Sequence, residues 1–289
     1  MGSTLYMSLF CLCTPEVLES FRRPAAVVGH PGHELKVFGW IAEHRPQVHV
    51  ITDGSGRHGV SRLPSTARLL AGVGATPGEV FGSISDAEIY GALLETNIPF
   101  FLDLQERLAD SFIQNEIDFV CGDATEGFNP THDICRSLVN AAVAMAEQAT
   151  RRRIPNYEFC LTEWEQSRQD VHDRQCLHLR LGDDLLRRKL DAALAYGELK
   201  DEVEKAIASR GEEYFRIECL RKVSSPAMED GPAEKPFYET WGEQRVAEGG
   251  YTSVIRYQQH MLPVLDALGR ATGQALPAAV STIDRAHSA

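Results

Sequence analysis

The chain has 289 residues, 43% hydrophobic and 24% charged, which is the composition of a globular protein with a core and excludes a mostly disordered chain. Its 29 basic and 41 acidic residues give a formal net charge of −12, which disfavours a general nucleic-acid binder because an acidic surface repels phosphate. The apolar stretches are all far shorter than a membrane span, so no membrane span is expected.

The N-terminal residues 1–13 are mildly apolar and are predicted to form a strand or a packing arm. They lack a basic segment and a small-residue cleavage site, so a signal peptide is not expected.

The seven cysteines include no Cys-x-x-Cys pair, which favours reduced thiols and a cytoplasmic location over a disulfide framework. Cys11 and Cys13 are two residues apart, and we interpret them as small buried side chains rather than metal ligands.

The first half of the chain predicts an α/β fold with a Rossmann-like, mostly parallel sheet flanked by helices, because short apolar runs alternate with helical patterns. Strands are predicted at 25–28, 48–52 and 117–121, and helices at 34–44, 65–71, 103–115 and 131–151. Ligands of open parallel sheets bind outside the carboxyl ends of strands. We therefore expect the polar loops after Val28, Thr52 and Cys121 to meet in one cleft.

The second half predicts a helical C-terminal extension. Strands are expected at 157–161 and 214–221 and an exposed loop at 224–235. Helices are expected at 183–207, interrupted only by Gly197, and at 238–248 and 253–272. Pro263 is expected to end or kink the last helix, and Trp241 is interpreted as an interface or lid residue. We expect a core over residues 1–165 and an extension over 166–289 that packs on it without being independent. Whether helix 183–207 serves packing or a dimer contact is left open, as is the oligomeric state.

Three histidines stand in loops next to predicted strands. His30 and His33 follow the first strand three residues apart, so a helical turn at Gly32 places both rings near one face. His132 opens the helix that follows a later strand. Three neutral imidazoles form a good Zn²⁺ site, and a fourth position left to water makes such a site catalytic. The alternative is three unrelated core or surface histidines, and the residues alone leave both interpretations open.

Three motifs occur in a recognisable order along residues 25–148. They are Val28-Gly29-His30-Pro31-Gly32-His33-Glu34, Thr52-Asp53-Gly54 and Asn129-Pro130-Thr131-His132. The first resembles the Ala-His-Pro-Asp-Asp-Glu motif of the LmbE-like/PIG-L deacetylase family, the second its Thr-Asp-Gly turn, and the third its His-Pro-Asp-His motif. Arg62 stands where the family has a substrate-contacting arginine, and Asp86 where it has an aspartate ahead of the central helix.

The resemblance implies a zinc-dependent hydrolase that removes an acetyl or related acyl group from an N-acylated small molecule such as an amino sugar. It also implies metal ligands, of which His30 and His132 match the first and third. His33 stands where the family has an aspartate, and imidazole in place of carboxylate preserves a metal site. Asp53, Arg62 and Asp86 are the corresponding candidates for substrate binding.

Two positions depart from the family's pattern. Gly32 replaces the aspartate that acts as general base, and Asn129 replaces the first histidine of the later motif. Glu34 and Asp133 are the candidates to move protons instead, with a supporting role beside the metal ligands as the alternative. Asn129 remains a candidate to donate a hydrogen bond to a developing oxyanion. Asp123 and Glu126 are further carboxylates close to these residues in the sequence.

The leading hypothesis is a zinc-dependent amide hydrolase with His30, His33 and His132 as metal ligands and a small molecule as its partner. A second hypothesis is a protein that keeps the metal cleft but has lost deacetylation and binds a ligand or glycan there. A third is a different metal-dependent reaction at the same site. Turnover of N-acetyl sugars separates the first from the other two.

Overall fold

Eight strands form one sheet in the computed structural model, which describes residues 9–11, 21–56, 59–162, 176–223 and 234–273. In chain order they are β1 (Leu9–Cys11), β2 (Pro24–Val28), β3 (Gln47–Thr52), β4 (Thr76–Ile84), β5 (Phe119–Asp123), β6 (Asn156–Phe159), β7 (Cys176–Leu181) and β8 (Ile217–Lys222). Their order across the sheet is β1-β7-β8-β6-β5-β2-β3-β4.

The five strands from β6 to β4 run parallel, which confirms the predicted fold class. The central strand β2 is buried along its whole length, as expected of a parallel strand covered on both faces. Val27 and Val28 point to opposite faces and belong to two separate buried clusters. The strands β8, β7 and β1 extend the sheet in antiparallel pairings.

Helices cover both faces of the sheet. In the described ranges they are α1 (Phe38–His44), α2 (Leu63–Val73), α3 (Asp86–Leu94), α4 (Ile98–Gln114), α5 (Pro130–Thr150), α6 (Asp183–Leu194), α7 (Lys200–Arg210), α8 (Phe237–Ala247) and α9 (Leu262–Ala271). One buried cluster packs α4, α5 and α9 on the sheet, and the other packs α1, α2 and α6 on it. Within the residues described, no helix has both the length and the hydropathy needed to cross a bilayer.

The predicted helix 183–207 is broken into two. Helix α6 ends at Leu194, a 3₁₀ turn follows at Gly197–Leu199, and α7 begins at Lys200. Tyr196 lies in the break and is buried, with its hydroxyl 2.8 Å from Thr66 Oγ1. The interruption predicted at Gly197 is therefore a full break between two helices, and the buried contact of Tyr196 lies within it.

The last described segment, up to residue 273, is helical over a shorter range than predicted. A π-helical turn at Tyr257–Met261 leads directly into α9, in which Pro263 occupies the first turn. A proline in the first helical turn costs no hydrogen bond, since the N–H groups there have no partner within the helix. The prediction of helix at residues 253–256 was wrong, and Pro263 marks the change from π to α geometry.

The C-terminal extension contributes the strands β7 and β8 as well as helices, so the sheet continues across the predicted boundary at residue 165. Glu218 on β8 ties this part to the first half. Its carboxylate accepts hydrogen bonds from the N–H groups of Gly39 and Trp40, at 2.8 and 3.0 Å, and from Lys189 Nζ on α6, at 2.8 Å. Cys13 and most of the predicted loop 224–235 lie outside the described residues.

Candidate metal centre

The loops that follow β2, β3 and β5 meet at one edge of the sheet, as the sequence predicts. The carbonyl of Gly29, directly after β2, accepts hydrogen bonds from the N–H and the hydroxyl of Thr52, at 3.0 and 3.1 Å. The N–H of Gly29 donates to Asp123 Oδ2, the last residue of β5, at 2.8 Å. These bonds fix the three strand ends relative to one another.

Gly32 turns the chain between the first two histidines. Its φ of +106° lies in a region that side chains rarely adopt, and it precedes the 3₁₀ turn His33–Val37. A Cβ at this position would lie 2.5 Å from Leu199 Cδ1. The backbone angle therefore favours glycine, whereas Leu199 Cδ1 is the end of a flexible side chain that can shift, and the turn brings the rings of His30 and His33 together.

His30, His33 and His132 form one compact histidine cluster. Each offers a ring nitrogen, and these three nitrogens all lie within 4.8 Å of one another. The ring centroids are 4.6–5.2 Å apart, and the ring planes are inclined at 69–87°. His30 and His132 are buried, and His33 is partly exposed. The arrangement suits a single ion, since Zn²⁺ takes three imidazoles and leaves a position open.

The electrostatics keep two of these rings neutral. Burial, followed by the charges of His33 and His132, holds the pKa of His30 well below its ordinary value. Burial and the neighbouring His33 lower the pKa of His132 to about 3. Neutral imidazole is the form that binds metal, so both side chains are ready to act as ligands near neutral pH.

Asp123 orients His33. The Nδ1–H of His33 donates to Asp123 Oδ2 at 2.7 Å, which leaves Nε2 as the nitrogen available to a metal. Burial disfavours ionisation of Asp123, but His33, His132 and the Gly29 N–H together outweigh it and hold the pKa of Asp123 below its usual value. The sequence identified Asp123 only as a nearby carboxylate. Its position at the carboxyl end of a strand was the available signal.

Three buried polar atoms around the histidine cluster lack a hydrogen-bond partner among the described residues. They are His132 Nδ1, Asp86 Oδ1 and Asp123 Oδ1. Asp86 Oδ1 lies 3.5 Å from His30 Nε2, while Asp86 Oδ2 accepts the N–H of Gly56 at 2.7 Å. Unpaired buried polar atoms require an ion or a water, and two carboxylates beside neutral imidazoles favour a cation. The donor set therefore fits a divalent metal.

Glu34 and Asp133 are engaged with the polypeptide rather than with the histidine cluster. Glu34 is fully buried and accepts hydrogen bonds from the Gly32 N–H and from Thr66 Oγ1, both at 2.7 Å; burial raises its pKa. Asp133 Oδ1 accepts the N–H groups of Glu126 and Gly127 at 3.0 and 3.2 Å, and burial raises its pKa to about 6. Each carboxylate holds the loop that carries a histidine.

The remaining predicted site residues lie at different distances from the cluster. Asn129 lines the cleft, and its Oδ1 accepts the Thr131 N–H at 2.8 Å and the Tyr90 hydroxyl at 3.3 Å. Arg62 also lines the cleft, with Nε donating to the Gly54 carbonyl at 2.8 Å. Asp53 instead caps the turn after β3, where its Oδ1 accepts the Ser55 N–H at 2.9 Å. Asp53 is thus not among the residues that form the cleft wall.

The histidine cluster lies on the wall of a main cleft of about 800 Å³. Four exposed aromatic residues form an aromatic rim around its mouth, which the sequence did not predict as a group: Phe128, Phe237, Trp241 and Tyr251. Phe128 and Phe237 stack with ring centroids 5.1 Å apart and planes 3° apart, and Phe237 stacks on Trp241. The C-terminal extension therefore forms one side of the main cleft.

No family model and no curated protein matches the sequence. A teicoplanin deacetylase solved in a zinc-inhibited form is similar to the chain at a TM-score of 0.49 and 9% identity, over 70% of this chain and 99% of that one. An N,N′-diacetylchitobiose deacetylase from Pyrococcus horikoshii is similar at a TM-score of 0.47 and 13% identity, over 72% of this chain and 89% of that one. The deacetylase Dbv21, which acts on the pseudoaglycone of the antimicrobial reagent A40926, is similar at a TM-score of 0.49 and 16% identity. The match covers 72% of this chain and 99% of that one.

Proposed function

We propose that the chain is a zinc-dependent hydrolase that removes an acyl group from the nitrogen of a small N-acylated molecule, such as an amino sugar. The observation that carries this proposal is the convergence of His30, His33 and His132 on the wall of the main cleft, with Asp123 orienting His33. Three histidines and an open position are the donor set of a catalytic zinc site.

The three histidines would hold the metal, and the all-imidazole set favours zinc over harder cations. Zinc in this position would supply Lewis-acid polarisation of the amide carbonyl and acidify a bound water. Asp123 keeps His33 in the tautomer that presents Nε2. Glu34 and Asp133 hold the loops of His33 and His132 in place, since each already accepts backbone N–H groups.

Asp86 is the carboxylate best placed to take part in the reaction from the cleft wall. Its Oδ1 is unpaired among the described residues and lies beside His30, whereas its Oδ2 is fixed by Gly56. We assign it the acceptance of a proton or of a substrate hydroxyl at Oδ1. Arg62 and Asn129 line the same cleft and bind polar groups of the substrate.

A second candidate function is ligand binding at the metal site without hydrolysis. It is favoured by one observation, which is that Gly32 stands where a base is needed while the neighbouring Glu34 has both oxygens engaged. A protein of this kind binds zinc and an N-acyl sugar but releases no acid.

The proposed function is tested by metal analysis and an amine-release assay on the zinc-loaded protein. We expect one zinc per chain and a loss of at least about 10³-fold in kcat/KM for His132→Ala, since metal catalysis depends on that ligand. Asp110→Asn, an exposed change on α4, is the matched control. A wild-type protein that holds no zinc, or an active His132→Ala variant, contradicts the proposal. Stoichiometric zinc with sugar binding but no amine release selects the second candidate.

The cytoplasmic location remains a prediction from cysteine usage. Five cysteines of the described part of the chain take part in no disulfide: Cys121, Cys135, Cys160, Cys176 and Cys219.

A further inference from the structure

A second cavity, of about 390 Å³, adjoins the histidine cluster from another side. It shares His33, Arg62, Phe128 and His132 with the main cleft, so the two spaces meet at the metal ligands. Its walls come from the turn His33–Val37, from α6 and α7, from the two residues Leu161 and Thr162 after β6, and from the turn before β8. A substrate bound at the cluster can therefore extend into both spaces at once.

The two spaces differ in chemistry. The second cavity is lined mainly by aliphatic and aromatic side chains, among them Leu35, Leu161, Leu190, Leu199, Val203 and Phe215. Besides the shared His33, Arg62 and His132, its polar side chains are Lys36, Thr162, Lys189, Glu202 and Tyr214, and Lys189 is already bound to Glu218. The main cleft adds Asp86 and Asn129 behind the aromatic rim.

We propose that the second cavity receives the acyl chain of the substrate, and that this chain is linear, apolar and several carbons longer than acetyl. The inference rests on the proposed hydrolysis at the histidine cluster and adds the class of acyl group. An acetyl group contributes a single methyl, which leaves most of a 390 Å³ apolar space without a partner. A longer chain fills this space and gains from each methylene that leaves water.

This placement sets the direction in which the amide lies. The carbonyl carbon is at the histidine cluster, the acyl chain runs past His33 towards Leu199 and Val203, and the amine part occupies the main cleft. Polar side chains and exposed aromatic rings suit a sugar, which combines hydroxyl groups with apolar ring faces. Hydrolysis consumes one water: its oxygen bonds to the carbonyl carbon, the carbon–nitrogen bond breaks, and nitrogen keeps the electron pair and takes a proton. The products are a free fatty acid and a primary amine.

The first experiment compares N-acetyl-, N-butyryl-, N-hexanoyl- and N-octanoyl-glucosamine as substrates of the zinc-loaded full chain. We expect kcat/KM to rise about threefold to fourfold for each added methylene until the cavity is full. A rate that is highest for the acetyl compound and falls along the series overturns the inference while leaving the proposed function intact.

The second experiment fills the cavity by mutation. Ala206 on α7 lines the second cavity, whereas Ala208 on the same helix is exposed and lies outside it. We expect Ala206→Phe to lower the ratio of octanoyl to acetyl turnover at least tenfold, and Ala208→Phe to leave that ratio within twofold of wild type. Val203→Phe replaces Ala206→Phe if the latter fails to fold by circular dichroism. An unchanged ratio in a folded cavity variant overturns the inference, because the chain then lies in the main cleft.

A binding measurement separates this inference from the proposed function. Binding of octanoate, the expected acid product, is measured by calorimetry on the metal-free full chain of the wild type, Ala206→Phe and Ala208→Phe. We expect octanoate to bind the wild type and Ala208→Phe alike, and Ala206→Phe at least tenfold more weakly. If no N-acyl compound is hydrolysed, the proposed function fails, and this pattern of octanoate binding alone supports the second cavity as the site of an acyl chain. Absent binding, or equal binding by both variants, overturns the inference whatever the turnover.

Discussion

Asp123 connects two of the three loops that build the candidate metal centre. Its Oδ2 accepts hydrogen bonds from the Gly29 N–H and from His33 Nδ1, so one oxygen fixes both a strand end and a ligand ring. The carboxylate is fully buried, which makes these contacts strong and leaves few alternatives for the His33 ring. At the scale of single residues, we therefore expect a change at Asp123 to alter metal affinity although Asp123 is not itself a candidate ligand.

Replacing Asp123 with asparagine is expected to weaken zinc binding by about 10–100-fold, because the amide keeps the shape but removes the charge behind His33. Competition with a chromophoric chelator measures the change in Kd. Asp110→Asn, an exposed substitution of the same kind, is expected to leave the Kd unchanged. Equal zinc affinity of wild type and Asp123→Asn is the result that contradicts the role given to Asp123.

His49 is a buried histidine remote from the histidine cluster. It lies on β3, with Nδ1 accepting the Val80 N–H at 3.3 Å and Nε2 donating to Gln47 Oε1 at 3.2 Å. Gly78 on β4 leaves room for the ring, since a Cβ there would lie 2.5 Å from it. Burial lowers the pKa of His49 to about 4. The folded protein therefore keeps this ring neutral in a pH range where the unfolded chain protonates it.

Stability is expected to fall with acid partly through His49. The pKa is about 6.5 in the unfolded chain and about 4 in the folded one, so the contribution is present above pH 6.5 and is lost between pH 6.5 and pH 4. At pH 4.5 the loss amounts to about 2 kcal/mol of the free energy of unfolding. His49→Gln, which cannot titrate, should show an acid-induced loss smaller by that amount in urea denaturation at pH 7 and 4.5. If wild type and His49→Gln lose the same stability between pH 7 and 4.5, His49 is not the cause of that loss.

The three histidines were predictable from the sequence, whereas two of the carboxylates beside them were not recognised for their roles. His30 and His132 carry local signals, because each stands near a strand end in a motif. The partner of His33 is Asp123, 90 residues away, and the two meet only because β2 pairs with β5. The position of Asp86 beside His30 likewise depends on where α3 begins relative to β2. Neither contact can be predicted from a local stretch of sequence, because both depend on the tertiary fold.

At the scale of elements, a buried ion pair within the C-terminal extension includes the carboxylate that binds the first helix. Lys189 on α6 and Glu218 on β8 are both buried, with Nζ and Oε1 2.8 Å apart. Glu218 also accepts the N–H groups at the beginning of α1, where helices have unpaired donors. Removing one partner of such a pair leaves an uncompensated charge in the interior.

Lys189→Met is expected to lower the free energy of unfolding by about 3–5 kcal/mol because Glu218 then loses its counter-charge. Chemical denaturation measures the loss. Lys200→Met is the matched control, since Lys200 is exposed and its pairing with Glu204 contributes less than about 1 kcal/mol. Adding Glu218→Gln to Lys189→Met should restore part of the stability. A cost of Lys189→Met no larger than that of Lys200→Met contradicts the structural role of the pair.

The elements that the sequence missed have clear physical reasons. Strand β4 contains Pro77, Gly78 and Gly82, which obscure the alternating pattern and are tolerated because β4 is the edge strand. The interruption predicted at Gly197 becomes a full break between α6 and α7 that contains the buried contact of Tyr196 with Thr66, a partner 130 residues away. Local patterns located β2, β3, β5 and β6 because their apolar runs are short, buried and bounded by polar loops.

At the scale of the whole molecule, the candidate site draws on both halves of the chain. The histidine cluster comes from the parallel part of the sheet, while α6 and α7 line the second cavity and α8 carries two residues of the aromatic rim. The sheet is continuous from β4 to β1, so the two halves share one framework. Metal bound in the first half is therefore coupled to the stability of the second.

Zinc at about 100 times its Kd is expected to add about 2.7 kcal/mol to the stability of the folded chain. For a chain of 289 residues the thermal midpoint should rise by about 4–5 °C, and calorimetry should show one transition that moves as a whole. His132→Ala should show no rise with zinc, and Mg²⁺ should not shift the wild type. Two transitions, of which zinc moves only one, would show that the halves unfold separately.

The position of β2 in the sheet has a consequence for how the protein is made. This central strand emerges from the ribosome early and finds β3 soon afterwards, but its other neighbour, β5, ends only at Asp123. At a synthesis rate of ~5–20 residues per second, one edge of a wholly apolar strand stays open for about 5–20 s. Such an edge can pair with any extended peptide nearby, so we expect misassembly of nascent chains to be greatest before the second parallel neighbour arrives.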